Sequence, residues 1–556
     1  MKNESNFAQV LHRSYQECPD RVAIRLIQSK QADLPITYRA LVQHANAYAQ
    51  QLEVAGVRAG EVVVIILEHG EPLIYTFWGA VLHGAVPSIL PFLTEKLSPE
   101  KYLQDLAALI AVTQPAAIVT YPAFAEKFAA QLSAMQISVG KPVILTIDQV
   151  EHSAQGALGS EAFSPLSTSR PQNEDDIALL QHSSGSTGLQ KGVALSHRAV
   201  FNQLSAYAQA IKLSESDVIC SWLPLYHDMG LIASFVMPVL LRVPVVLLSP
   251  FDWVRAPVKL LQLISAYKGT LTWLPNFAYN FMAQKIRERD MEGVEGVSLS
   301  SLRACINCSE PTFAASHILF AEKFSKYGLR PEALTTSYAM AENTFAVTQS
   351  GFDSPTLVET RQGASLLSAG KPLPNVRLRI LSENRDVLPE GEVGEIAIHS
   401  DCMLTGYYHR DDLTAQAMAD GYFLTGDLGY LSDGDLFVTG RKKDLIIVGG
   451  KNVYPQDLER LASEVPGVHP GRVVAFGVMN EAAGTEDVIV LAESDVAIEI
   501  ATEDAQYAVA DAVRSHINKN TDVAVRAVQV VPPGWLLKTS SGKIARGANK
   551  EKYLGA

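Results

Sequence analysis

Cysteine is scarce in this chain. Five occur in 556 residues, at Cys18, Cys220, Cys305, Cys308 and Cys402, with no regular spacing. That excludes a disulfide-stapled scaffold and points to a reducing compartment. Cys305 and Cys308 form one Cys-x-x-Cys without a second pair or an adjacent histidine. A structural zinc needs four ligands, so two small core residues are expected instead. Excess positive charge is also lacking: 46 Lys and Arg face 59 Asp and Glu, a formal charge of −13. Binding along a phosphate backbone needs clustered cations, so no nucleic-acid partner is expected. Nor is there a long clean apolar run. The longest, Leu231 to Leu248, holds Arg242 and two prolines and reads as core rather than a membrane span. The N-terminus is polar with no signal-type apolar region. No internal repeat is evident. These absences lead to the expectation of a cytoplasmic protein without a transmembrane segment.

What is present is ordinary globular composition, 47% apolar and 19% charged, in a chain long enough for more than one domain. Tyr38 to Leu52 carries apolar residues at helical spacing, at Leu41, Ala45, Tyr48 and Leu52. Val62 to Leu67 and Ala117 to Thr120 are short continuous apolar runs, as in strands buried on both faces. Helical patterns at 72–82 and 103–112 alternate with them, which predicts a parallel α/β sheet. Gly156 to Arg170 reads as a surface loop. From Val376 short strands with turn signals predict a β-rich subdomain, at 376–380, 394–398 and 436–438. Beyond 444 the pattern is a small α+β unit. The expected fold class is therefore α/β: a large N-terminal domain of parallel-sheet layers with a β-rich subdomain, then a small mobile α+β domain. The expected boundaries are 1–439, a linker at 440–443, and 444–556.

One stretch organises the chemistry. Gln181 to Ala194 reads Gln-His-Ser-Ser-Gly-Ser-Thr-Gly-Leu-Gln-Lys-Gly-Val-Ala. Small residues let backbone N–H groups form an anion-binding nest, hydroxyls add donors, and Lys191 adds a cation. A P-loop needs Gly immediately before its Lys; here Gln190 precedes Lys191, so that pattern fails. The string resembles the phosphate loop of the adenylate-forming superfamily of acyl-CoA synthetases, acyl-AMP ligases and adenylation domains. The resemblance makes Ser183, Ser184, Gly185, Ser186, Thr187, Gly188 and Lys191 ATP-binding residues.

Further strings carry the resemblance along essentially the whole chain, in the family's order. Ser221-Trp-Leu-Pro-Leu-Tyr-His-Asp-Met-Gly-Leu231 looks like the substrate-gate motif, in which His227 places the acyl carboxylate. Trp273-Leu-Pro-Asn-Phe-Ala-Tyr279 resembles an acyl-pocket wall, which implies acyl contacts for Asn276, Phe277 and Tyr279. By composition alone it is an apolar bend in the core. Ser309, Glu310 and Pro311 resemble the turn that supports adenine. Thr335 to Asn343 resembles the motif in which Ser337, Tyr338, Ala339 and Met340 line the nucleotide and Glu342 ligates Mg²⁺ beside the triphosphate. Ala339 and Ala341 replace the usual Gly and Thr. In Tyr422 to Tyr430, Asp427 takes the place of the carboxylate that accepts the ribose hydroxyls. Arg441 is implied as a ribose or phosphate contact, and Lys443 as the hinge about which the small domain turns. In Leu537-Lys-Thr-Ser-Ser-Gly-Lys-Ile-Ala-Arg546, Lys543 matches the lysine that bridges carboxylate and α-phosphate.

The resemblance implies an AMP-forming ligase using ATP and Mg²⁺, with Lys543, His227 and Glu342 as catalytic residues. Its first product is acyl-AMP from a fatty or related acid. The strings around His227, Tyr279, Glu342 and Tyr454 resemble the fatty acyl-AMP ligase branch, which implies an acyl carrier protein as acceptor. Two features point instead to CoA. The segment Gln349 to Leu373 is short for that branch's insertion, and Gly449-Gly-Lys-Asn452 reads like the acyl-CoA ligase form.

Overall fold

A computed structural model describes residues 4–29, 31–93, 99–134, 142–150, 173–183, 191–292, 296–310, 312–352, 355–361, 364–448, 451–480, 485–495, 503–521, 523–539 and 542–555. The expected surface loop at 156–170 lies outside them. The chain forms two compact units. One comprises Met1–Val358, Leu367–Leu378 and Ile398–Phe423; the other Glu359–Leu366, Arg379–Ala397 and Leu424–Ala556. The residues expected as a linker, 440–443, lie within the second unit.

The first unit holds two large sheets. The nine-stranded sheet runs Lys371–Pro372, Ala346–Gln349, Leu334–Ala339, Ala304–Asn307, Leu271–Leu274, Ile219–Ser221, Val245–Leu247, Val22–Leu26 and Leu34–Thr37. Its middle strands pair parallel and its edges antiparallel. The seven-stranded sheet runs Gly406–Tyr407, Lys191–Ser196, Ile177–Ser183, Val86–Ile89, Val62–Ile65, Ala117–Thr120 and Val143–Thr146. Every side chain of Val62–Ile65 and Leu271–Leu274 is buried, as continuous apolar strands of parallel sheets require.

The helices expected from periodicity are there. Tyr38–Val54 is capped by Thr37, whose hydroxyl accepts the Ala40 N–H at 3.2 Å. It crosses Glu71–His83 so closely that a Cβ on Gly79 would lie 2.6 Å from the Tyr48 Cβ and 2.7 Å from the Ala45 carbonyl. Glycine is required there for proximity, not for its φ. The apolar stretch after His227 becomes a π-helix at Met229–Val236, a short helix at Met237–Leu241 and a strand at Val245–Leu247, all core. Among the described residues no helix is long and apolar enough to cross a membrane.

The second unit packs the helices Pro455–Ser463 and Glu503–Asn520 on a three-stranded sheet of Val468–Asn480, Thr485–Ser494 and Val525–Val531. Leu458, Leu461, Val490, Val513 and Ile517 form its core. A hairpin ahead of it pairs Asp427 with Arg441 through Ser432 with Asp435.

Candidate active site

The central constellation lies in the first unit. Glu342 sits on a 3₁₀ turn, Ala341–Asn343, at the carboxyl end of the strand Leu334–Ala339. Carboxyl ends of parallel strands are where α/β sheets bind ligands. The Tyr407 hydroxyl donates to Glu342 Oε1 at 2.8 Å. The Lys191 ammonium lies 4.7 Å from the centroid of the same Tyr407 ring. Desolvation raises the Glu342 carboxyl above the usual range, and the Asp228 charge pushes the same way. The Tyr407 hydrogen bond and Lys191 oppose them. A partly desolvated carboxylate, a cation and a second carboxylate therefore share one electrostatic neighbourhood.

The backbone after Glu342 is strained. Thr344 has φ 65° and ψ −50°, and the Phe345 N–H reaches back to the Asn343 carbonyl at 2.6 Å. That is a γ-turn of the rarer hand, on a β-branched residue. Neighbours over-determine it. The Thr344 hydroxyl donates to the Cys402 carbonyl at 2.8 Å, and Asn343 binds the Ala346 carbonyl and the Ser400 hydroxyl at 2.8 and 2.5 Å. Upstream, Ser337 is buried and donates to the Thr348 carbonyl at 2.7 Å, while Tyr338, Ala339 and Met340 keep partial exposure.

His227 and Asp228 stand where the polypeptide enters the π-helix, a form frequent at functional sites. Asp228 caps it, accepting the Met229 N–H at 2.8 Å. The turn closes against Pro224: a Cβ on Gly230 would fall onto the Pro224 carbonyl, 2.9 Å from its carbon. Glycine after Met229 is thus needed for the close turn from Pro224 into the π-helix.

The residues expected to meet the acyl group separate into two kinds. Phe277 is partly exposed and stands edge-on to Trp222 and Trp253, at 6.2 and 6.1 Å, whose rings stack at 3.6 Å. Asn276 and Tyr279 are buried behind it. Asn276 accepts from Asn307 and from the Phe313 N–H at 3.1 and 3.2 Å; Tyr279 donates to the Cys305 carbonyl at 3.0 Å. Glu310 accepts the Phe277 N–H at 3.0 Å, tying the expected adenine turn to the first turn of the helix Asn276–Lys285. Ser309 adopts φ 69°.

In the second unit Arg441 Nε lies 3.1 Å from Asp427 Oδ1, across the hairpin. Thr425 orients the turn, accepting the Asp427 N–H at 3.1 Å. Lys443 is exposed on the 3₁₀ turn Lys442–Asp444. Lys543 closes a tight turn: its carbonyl accepts the Thr539 N–H at 2.7 Å, and Gly542 has φ 87°. Two side chains moor that turn. Asn549, fully buried, accepts from the Leu537 N–H at 2.8 Å and donates to the Leu537 and Ala545 carbonyls at 2.9 Å. Arg546 binds Asp444, Glu459 and the Ala475 carbonyl at 2.7, 2.6 and 2.9 Å.

Ser184, Gly185, Ser186, Thr187, Gly188 and Pro311 lie outside the described residues, as does the Ser183 side chain. Sequence reading missed Tyr407, Thr344, Trp222, Trp253, Asn549 and Arg546. Arg546 ends the Lys543 string, Asn549 follows it by three residues, and Asn343-Thr344 directly follow Glu342. Tyr407 has no local signal, being 65 residues from Glu342.

Comparison with known proteins gives the family. The AMP-binding enzyme family matches residues 11–408. The chain belongs to that family, and it is an enzyme of the adenylate-forming superfamily. It is 30% identical to the long-chain-fatty-acid–AMP ligase FadD26 of Mycobacterium tuberculosis, over 93% of this chain and 91% of that one. Among solved structures it superposes on a fatty acyl-adenylate ligase from the study of the E. coli and L. pneumophila enzymes, with TM-score 0.87 and 28% identity over 99% and 98% of the two chains. McyG A-PCP complexed with phenylalanyl-adenylate gives TM-score 0.87 at 25% identity, over 100% and 84%.

Proposed function

We propose that the chain converts a fatty or related carboxylic acid and Mg·ATP into acyl-AMP and pyrophosphate, then passes the acyl group to the phosphopantetheine thiol of an acyl carrier protein. In the first step a carboxylate oxygen bonds to the α-phosphorus as the bond to the β-phosphate breaks. In the second the thiol sulfur attacks the acyl carbonyl and AMP leaves. The observation that carries the reading is the Lys191–Tyr407–Glu342 constellation, in a chain alignable over nearly its full length with fatty-acid–AMP ligases.

Roles follow from the donors. Lys191 and the loop at 183–188 meet phosphate oxygens. Tyr338 and the 309–311 turn flank adenine, Asp427 with Arg441 holds the ribose, and His227 orients the carboxylate. Phe277 lines the acyl group with Asn276 and Tyr279 as its backing. Lys543 neutralises charge between carboxylate and α-phosphate. Lys443 is the proposed pivot of the C-terminal segment. The donor set suits Mg²⁺. Among the described residues no group of three or more His, Cys, Asp or Glu forms a protein cage. A hard cation that takes one carboxylate and completes its shell with phosphates and water fits Glu342, whose Oε1 is engaged by Tyr407.

Transfer to CoA is the second reading, favoured by the string Gly449 to Asn452. Labelled fatty acid with ATP, Mg²⁺ and either CoA or holo-carrier protein tests the choice. Acyl-carrier thioester is expected; efficient acyl-CoA formation without carrier loading would replace the proposal with the second reading.

A further inference from the structure

We infer that Tyr407 is a positioning residue that holds Lys191 and Glu342 ready for the nucleotide without letting their charges cancel. This rests on the reading of those two residues as phosphate and cation groups. The tyrosine contacts both: its hydroxyl donates to Glu342 Oε1 at 2.8 Å, and its ring faces the Lys191 ammonium at 4.7 Å. Both contacts satisfy a charge without neutralising it. A phenol supplies one hydrogen bond to the carboxylate, which keeps its second oxygen for a cation. An aromatic face attracts an ammonium by its quadrupole, and all three N–H donors stay able to turn to phosphate.

The backbone explains why this tyrosine can set the spacing. The segment around it is stitched on both sides. Leu404 N–H binds the carbonyl of Glu342 itself at 2.8 Å. Thr405 and Tyr408 N–H groups bind the Ala194 and Gly192 carbonyls at 2.8 and 2.7 Å, on the strand that begins with Lys191. Tyr407 pairs with Val193, and its own N–H is held by the Thr414 hydroxyl at 2.9 Å. A two-residue strand, Gly406–Tyr407, is thus the spacer between the residue that meets phosphate and the residue that meets the cation. Without the ring, an ammonium and a carboxylate in this desolvated setting would approach each other, and the ligand would have to separate them.

The hydroxyl and the ring make separable predictions. Equilibrium binding of free ATP with chelator, and of Mg·ATP, is measured by titration calorimetry on the full chain. Tyr407→Phe keeps the ring, so free ATP binds as to the unaltered protein, while the gain in affinity conferred by Mg²⁺ falls by about tenfold, the scale of one charge-assisted hydrogen bond. Tyr407→Leu, with its fold checked by circular dichroism, weakens both. Glu342→Gln removes most of the Mg²⁺ gain, and adding Tyr407→Phe to it removes little more, since the hydroxyl acts through that carboxylate. Equal binding of both nucleotides by Tyr407→Phe and the unaltered chain would overturn the inference, as would a parallel loss of both. Failure of the unaltered chain to bind ATP in either form would instead overturn the reading on which the inference rests.

Discussion

Asn549→Ala is a deletion outside the candidate site residues that should still be felt at Lys543. Asn549 is fully buried and makes three side-chain hydrogen bonds to the base of the lysine turn. Their loss is unequal. The Leu537 carbonyl keeps the Ala545 N–H at 3.0 Å, and the Ala545 carbonyl keeps the Asn549 backbone N–H at 2.9 Å. Only the Leu537 N–H loses its acceptor. One orphaned donor plus the removed bonds costs about 2 kcal/mol, a local opening about 30-fold more frequent. Hydrogen exchange, read by mass spectrometry on peptides spanning 535–546, should accelerate by that factor while the sheet Val468–Asn480 keeps its protection. Acyl-AMP formation should fall because the turn bearing Lys543 is populated less often in its closed form. Asn549→Asp keeps an acceptor for the Leu537 N–H but turns a buried carboxylate oxygen toward the Leu537 and Ala545 carbonyls, so it should open the segment at least as often as Ala. Unchanged exchange at 535–546 would refute the claim that Asn549 moors the turn; faster exchange with full adenylation would show that the mooring does not matter to Lys543.

Lys543→Ala should nearly abolish adenylate formation while sparing transfer from preformed acyl-AMP; equal loss of both steps contradicts its assignment. Gly230→Ala should lower stability by about 1–3 kcal/mol, because the added methyl lands on the Pro224 backbone; an unchanged melting temperature would show that the turn yields. Native thiol titration should count one reactive cysteine, Cys18, and five after denaturation. The other four are buried, and burial pushes the Cys220 and Cys305 thiols up to about 12. Burial holds His182, His197 and His317 down at about 4. The folded forms bind protons less readily than the unfolded chain, so the stability they contribute is whole above about pH 6.5 and is lost as pH falls toward 4. A melting temperature flat across that window would contradict the burial of these rings.

Most of the fold was legible because parallel strands buried on both faces leave continuous apolar runs, and amphipathic helices leave a 3.6 period. Val62–Ile65 and Tyr38–Val54 are of that kind. The second unit's inclusion of Glu359–Leu366 and Arg379–Ala397 was not legible, since nothing local marks which later segment a strand will join. The site divides likewise. The candidates Glu342, His227 and Lys543 stand in strings that resemble the family's motifs. Tyr407 lies on a two-residue strand too short for any periodicity, and its partners are set by tertiary pairing. Asn276 and Tyr279 stand in the acyl-wall string, yet their polar atoms are spent on the neighbouring strand and turn. The γ-turn at Thr344 is invisible because strain is a property of the surroundings that hold it.

Direct detection of the intermediate tests the account best. The full chain is incubated with Mg·ATP and a panel of fatty and related acids without any thiol acceptor, and pyrophosphate and acyl-AMP are quantified together. The account predicts carboxylate-dependent release of pyrophosphate with acyl-AMP formed in equal amount, and loss of both in Glu342→Gln. Pyrophosphate release that ignores the acid, or none with any acid from a chain that binds Mg·ATP, would contradict it.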